Sequence, residues 1–151
     1  MKSIKTLFAA AILAALPAFA QVQAASAYPL TFAEIFLVRS SDCGKEELYS
    51  PYVSTTCDHG GAELRVFVVE VGNGTGGKVT MVGDELPRSA LVSSTPICMI
   101  GGQIMQCPPG VTVQGYIREY KLDGYQGGRF TYENTSASHP FNTFYRWIII
   151  W

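Results

Sequence analysis

The apolar residues of this chain recur at every second position and hardly anywhere at every third or fourth. From Tyr28 onward no stretch of eleven or more residues carries a capped 3.6-residue repeat, which excludes a helical core. Eight segments are instead rich in Val, Ile, Thr, Tyr or Phe and bounded by glycine or proline: 30–40, 63–72, 78–82, 88–100 with a break at Pro96, 103–106, 111–122, 128–135 and 143–151. Dense turn signals separate them, such as Gly101-Gly102, Asp123-Gly124 and Gly127-Gly128. Strands spaced in this way predict an all-β chain. The fold expected is one small antiparallel β-sandwich over residues 28–151, immunoglobulin-like in size and strand number, with disulfide-tied loops. A length of 151 residues, 48% hydrophobic and 15% charged, supplies a single core. Eleven scattered cations and a formal charge of −1 lack the clustered positive field that nucleic acid requires.

Residues 1–20 join a short basic start (Lys2, Lys5) to an apolar run from Leu7 to Leu16, and close on Pro17 and Ala18-Phe19-Ala20. This is the layout of a secretory signal peptide. Small residues also stand at the two required positions in Val22-Gln23-Ala24 and Ala25-Ser26-Ala27, so processing is expected after residue 20, 24 or 27. The run is too short to span roughly 30 Å of hydrocarbon as a stable helix, and no longer apolar run follows it. A secreted or periplasmic protein without a membrane span is expected. Removing Lys2 and Lys5 leaves nine cations against twelve anions, a mildly acidic chain.

Export decides how the cysteines read, because thiols in an oxidising compartment pair and stay paired. Cys43, Cys57, Cys98 and Cys107 allow three connectivities. The local pairing, Cys43 with Cys57 and Cys98 with Cys107, is favoured, since each pair brackets a segment with loop composition. No Cys-x-x-Cys pair is present, which argues against a four-cysteine zinc site. Val66-Phe67-Val68-Val69 is apolar on both faces, as in a central strand covered on each side. Residues 111–122 are mixed on both faces. Residues 40–62 read as one long ordered loop tied by Cys43 and Cys57, a usual place for a binding surface on a rigid β scaffold.

Two segments carry candidate chemistry. Cys57-Asp58-His59-Gly60-Gly61 sets a carboxylate and an imidazole at a strand entrance, able to bind a metal or move a proton; plain turn chemistry accounts for the same residues. The polar loop from Glu133 and Asn134 through His139 to Asn142 lies between two aromatic-rich strands and holds the other histidine. If both segments met at one end of the sandwich, Asp58, His59 and His139, with Glu133, could converge on a divalent metal. Serine hydrolysis lacks a Gly-x-Ser-x-Gly elbow. The glycine-rich segment 72–77 reads as a hairpin connection and not a phosphate loop. The sequons at Asn73 and Asn134 read as incidental. Aromatics crowd the last third, and Gln114, Arg118, Gln126, Arg129 and Asn142 among them leave a polar binding face. The alternating Tyr145, Trp147, Ile149 and Trp151 suggest a lesser alternative, the closing strand of a small outer-membrane barrel.

Asp58-His59-Gly60-Gly61-x-Glu63-Leu64 with the strand from Val66 to Gly72, then Asp123-Gly124-x-x-Gly127-Gly128-x-Phe130-Thr131-Tyr132-Glu133-Asn134-Thr135-Ser136 and Pro140-x-Asn142-Thr143, resembles the small secreted bacterial family typified by the Bacillus YolA protein. The likeness covers the chain from about Tyr28 onward. It implies a secreted protein of one β domain and carries over no catalytic residue. The function expected is surface recognition of an extracellular protein or glycan by a monomer without cofactor. Asp58, His59, Glu133, Asn134, His139 and Asn142 are the expected contact residues. The alternative is a small hydrolytic or metal-dependent enzyme centred on Asp58, His59 and His139.

Overall fold

The computed structural model describes residues 28–49 and 53–151; the segment read as a signal peptide lies outside them. Among the described residues the chain forms ten strands: β1 (Phe32–Ser40), β2 (Gly44–Glu47), β3 (Arg65–Val71), β4 (Lys78–Met81), β5 (Asp84–Glu85), β6 (Leu91–Ile100), β7 (Gln103–Gln106), β8 (Gly115–Lys121), β9 (Gly128–Thr135) and β10 (Thr143–Ile150). One short 3-10 turn, Arg88–Ala90, precedes β6. The strands make two antiparallel sheets, in the orders β2-β1-β3-β8-β6-β7 and β10-β9-β4-β5.

Alternation decides which side chains enter the space between the sheets. On β3 Val66, Val68 and Glu70 are buried, while Phe67 and Val69 are half-exposed on the other face. Ala33, Ile35 and Val38 of β1, Val79 and Met81 of β4, Tyr120 of β8, Phe130 and Tyr132 of β9, and Ile148 and Ile150 of β10 complete the core. Each fully buried side chain of this size contributes about 1.5–3 kcal/mol, so the sandwich rests on this layer. Both disulfides have the local pairing, Cys43 with Cys57 and Cys98 with Cys107.

Four expectations need correction. The two sheets have free edges and do not close, so the barrel alternative fails. Residues 40–62 are not one loop, because Gly44–Glu47 pairs with β1; its polar composition hid a strand that needs no apolar face at an edge. The two-residue β5 was too short to show in a sequence pattern. Finally, β6 runs unbroken through Pro96. The Pro96 carbonyl accepts from Cys107 N–H at 3.1 Å, one residue past β7, so the missing proline N–H falls at the end of that ladder, where little is lost.

Strand register fixes the two ends of the sandwich. Val71 pairs with Gly115, and Gly115 with Ile97, at the end that also carries the β9–β10 loop, where Thr135 meets Thr143. The opposite end holds Ser40 beside Gly44, Arg65 beside Lys121, and Gly128 beside Ile150.

Candidate functional site

His59 is fully buried at the second of these ends, where its backbone N–H donates to the Trp151 carbonyl. Its Nε2 lies 3.0 Å from Glu46 Oε2 and its Nδ1 3.1 Å from Ser40 Oγ. A carboxylate only accepts, so Nε2 carries the proton given to Glu46. Ser40 Oγ accepts from Cys43 N–H at 3.2 Å and has its own hydroxyl proton to give to Nδ1. Glu46 also accepts from the Thr56 N–H at 2.7 Å, the Thr56 hydroxyl at 3.0 Å and the Cys57 N–H at 3.2 Å. Burial pushes its carboxyl up, but donation from the Thr56 backbone, His59, the Cys57 backbone and the Thr56 hydroxyl outweighs that and holds it below the usual value. Asp58 is exposed and turns back on its own loop, accepting from Gly60 N–H at 3.0 Å.

Cys43, Glu46 and His59 bring one ligand atom each within 4.8 Å of one another, the one such trio among the described residues. The Cys43 sulfur is spent in the disulfide, which leaves two donors where a structural metal needs about four. His139 lies at the other end of the β9–β10 hairpin, exposed, joined to Pro140 by a cis peptide bond and edge-on to the Phe141 ring. Asp58, His59 and His139 therefore do not meet: eight residues of β10 stand between the two ends, about 26 Å at the usual rise per residue. Asn142 closes the loop through its carbonyl, which accepts from Ser136 N–H at 2.8 Å.

The second polar cluster sits between the sheets. Glu70, fully buried on β3, accepts from the Tyr132 hydroxyl, the Asn134 side-chain amide and Arg118 Nε. Asn134 also accepts from Gly77 N–H at 3.1 Å and donates to the Tyr132 hydroxyl at 3.1 Å. Among the described residues no buried side-chain nitrogen or oxygen lacks a partner. Glycine is obligatory on both sides of the cluster: a Cβ at Gly115 would meet the Glu70 carbonyl at 2.0 Å, and one at Gly74 the Asn134 amide at 2.2 Å. Burial, offset in part by Arg118, pushes the Tyr120 hydroxyl up to about 12. Burial and the Glu70 charge push Tyr132 up further, so both phenols stay protonated and Tyr132 donates to Glu70. Arg118 is raised as well, its burial outweighed by the Glu70 charge and hydrogen bond.

Arg118 and Asn134 of this cluster line a cleft of about 700 Å³ between the two sheets, together with Lys78, Glu85, Arg88, Tyr120 and Glu133 among others. Of the residues singled out in the sequence, Arg118 lines the cleft from β8, Glu133 lines it with its side chain exposed, and Asn134 lines it with its amide fully engaged. Being 2% exposed, Asn134 offers no glycan acceptor, so its sequon is incidental. Sequence reasoning missed Glu70, Ser40 and Glu46. A signal for Glu70 was present: it shares the parity of Val66 and Val68, and a charge in the core row of a strand must have partners.

No curated protein and no solved structure is found to match this chain. A family model does match over residues 23–150, nearly all of the region that holds the sandwich, both disulfides, the Glu70 cluster and the cleft. By that match the chain belongs to the family described as Domain of unknown function (DUF4879).

Proposed function

We propose that this is an exported recognition protein that holds a segment of an extracellular glycan in the cleft between its sheets. The observation that carries the reading is the cleft wall built on Glu70: a buried carboxylate, tied to Arg118, Tyr132 and Asn134, fixes hydrogen-bonding groups in place before any ligand arrives. Glu133, Glu85, Lys78 and Arg88 around it offer both acceptors and donors, which suits hydroxyl groups that do both. Export is supported by two disulfides, by the basic–apolar–small pattern of residues 1–20, and by the likeness to the secreted family typified by YolA. Among the described residues no helix is long and apolar enough to cross a membrane. Calorimetric titration with soluble cell-wall glycan fragments, and in parallel with peptides, tests the reading. Arg88→Ala and Glu133→Ala should each weaken glycan binding about tenfold, or 1.4 kcal/mol. Unchanged affinity in both variants would remove the cleft from the account, and binding of peptides alone would change the ligand class.

A second reading rests on the chain of contacts Ser40–His59–Glu46, which matches in type the nucleophile, base and acid of a hydrolase. Against it, His59 is 0% and Ser40 4% exposed, and Ser40 Oγ is already an acceptor for Cys43 N–H. Covalent labelling of Ser40 by a fluorophosphonate, lost in Ser40→Ala, would establish this reading; an unlabelled protein retires it.

A further inference from the structure

The two sheets present four edges among the described residues, and three of them are guarded. β2 carries Lys45, Glu46 and Glu47, and β5 is two residues long and wholly acidic. The free side of β10 is covered by the segment at 53–55, where Ile149 N–H donates to the Val53 carbonyl and Thr55 N–H to the Ile149 carbonyl, both at 2.9 Å. β7, Gln103-Ile104-Met105-Gln106, has none of these defences. All four of its residues are exposed, Ile104 at 50% and Met105 at 40%, and Met99 and Ile100 of β6 extend the apolar surface at 54% and 41%. No Asp, Glu, Lys, Arg or His occurs between Arg88 and Arg118.

The hairpin geometry says which backbone groups are free. Gly101 and Gly102, both at positive φ, make a two-residue turn between Ile100 and Gln103. In such a hairpin the closing pair is hydrogen-bonded and the bonding alternates, a phase confirmed by the bond from Cys107 N–H to the Pro96 carbonyl. The N–H and C=O of Ile104 and Gln106 therefore point away from β6. The Cys98–Cys107 disulfide clamps the hairpin at its base and keeps this edge presented.

We propose that a second copy of this chain adds antiparallel to β7, giving a two-fold dimer in which the two six-stranded sheets become one, in place of the monomer expected from sequence. Pairing about Met105 sets Ile104 opposite Gln106 of the second copy, so the outward groups of both residues close four backbone hydrogen bonds across the seam, and Met105 meets Met105 of the second copy. A two-fold seam brings an edge against itself, which β2 would resist through its own charges and β7 does not. A bilayer would also take up the apolar side chains, but it would leave those outward N–H and C=O groups without partners, at a cost of several kcal/mol each.

The test is sedimentation equilibrium on the exported chain with both disulfides intact, across a concentration series. The mass should rise to that of two chains. Ile104→Pro removes an N–H that β6 does not use, so the hairpin should survive while the seam loses a donor on each side and gains a ring. Met105→Lys sets two ammonium groups face to face. Each should weaken association at least tenfold, roughly 1.4 kcal/mol, with the Cys98–Cys107 bond and circular dichroism unchanged. In the parent chain the Ile104 and Gln106 amides should become protected from hydrogen exchange as concentration rises. A parent chain that stays monomeric up to about 1 mM overturns the proposal, as does a dimer indifferent to both substitutions. Flotation of a monomeric parent with phospholipid vesicles would overturn it in favour of the bilayer.

Discussion

Glu46 and Glu70 are both carboxylates drawn out of water and surrounded by donors, yet their donors come from different places. Those of Glu46 are two loop N–H groups, a threonine hydroxyl and the buried His59, all gathered beside the Cys43–Cys57 disulfide. Those of Glu70 are side chains from β8 and β9, and two of them, Arg118 and Asn134, also line a cleft. The first cluster fastens a loop to an edge strand and to Trp151; the second joins two sheets and holds Arg118 and Asn134 in place at the cleft. A hydrogen-bonded carboxylate serves cohesion in both places, half-buried at Glu46 and fully buried at Glu70.

The largest effect expected from breaking this contrast is at Arg118. Arg118→Met leaves Glu70 buried without its cation and should cost about 3–5 kcal/mol in urea unfolding. A loss below about 1 kcal/mol would mean that Tyr132 and Asn134 suffice to hold Glu70. Replacing Cys43 and Cys57 together with Ala opens a closure of 14 residues and should cost about 3 kcal/mol, without altering affinity at the distant cleft. His59→Ala strands the Ser40 hydroxyl and one acceptor site on Glu46, an expected loss of about 1–3 kcal/mol in the same assay. A matching fall in glycan affinity would show the two clusters to be coupled after all.

The smallest effect concerns pH. Because the native carboxyl of Glu46 is held below its ordinary value of 4.5, its contribution to stability is complete above that pH and declines as pH falls through the lower native value. Thermal melts of the parent chain and Glu46→Gln should therefore differ most near neutrality and converge in acid. A gap independent of pH would remove the ionised carboxylate as its source.

Much of the fold was legible because strand periodicity is local. The segment at 103–106 was placed to the residue, and 128–135 likewise, since Gly101-Gly102 and Pro108 flank the first, and Gly127 opens the second, which alternates. Two of the edge strands, β2 and β5, were not legible: β2 reads Gly-Lys-Glu-Glu, with nothing apolar to mark it, and β5 is only two residues long. At the site, Glu133 and Asn134 were found through their place in a polar segment between aromatic strands. Their company was not, because Glu70 lies 62 and 64 residues away from Tyr132 and Asn134.

What the sequence alone determined was the period-two backbone and the punctuation between strands, consequences of neighbours within a few residues; it favoured the local cysteine pairing among three, and the structure has that pairing. Which end each loop occupies was decided only by the tertiary register. The sequence left open whether His59 and His139 meet; antiparallel pairing of β9 with β10 sends the β9–β10 loop to one end and the chain terminus, with His59 bonded to it, to the other. Hydrogen bonds between strands distant in sequence set that geometry, and no local pattern encodes it.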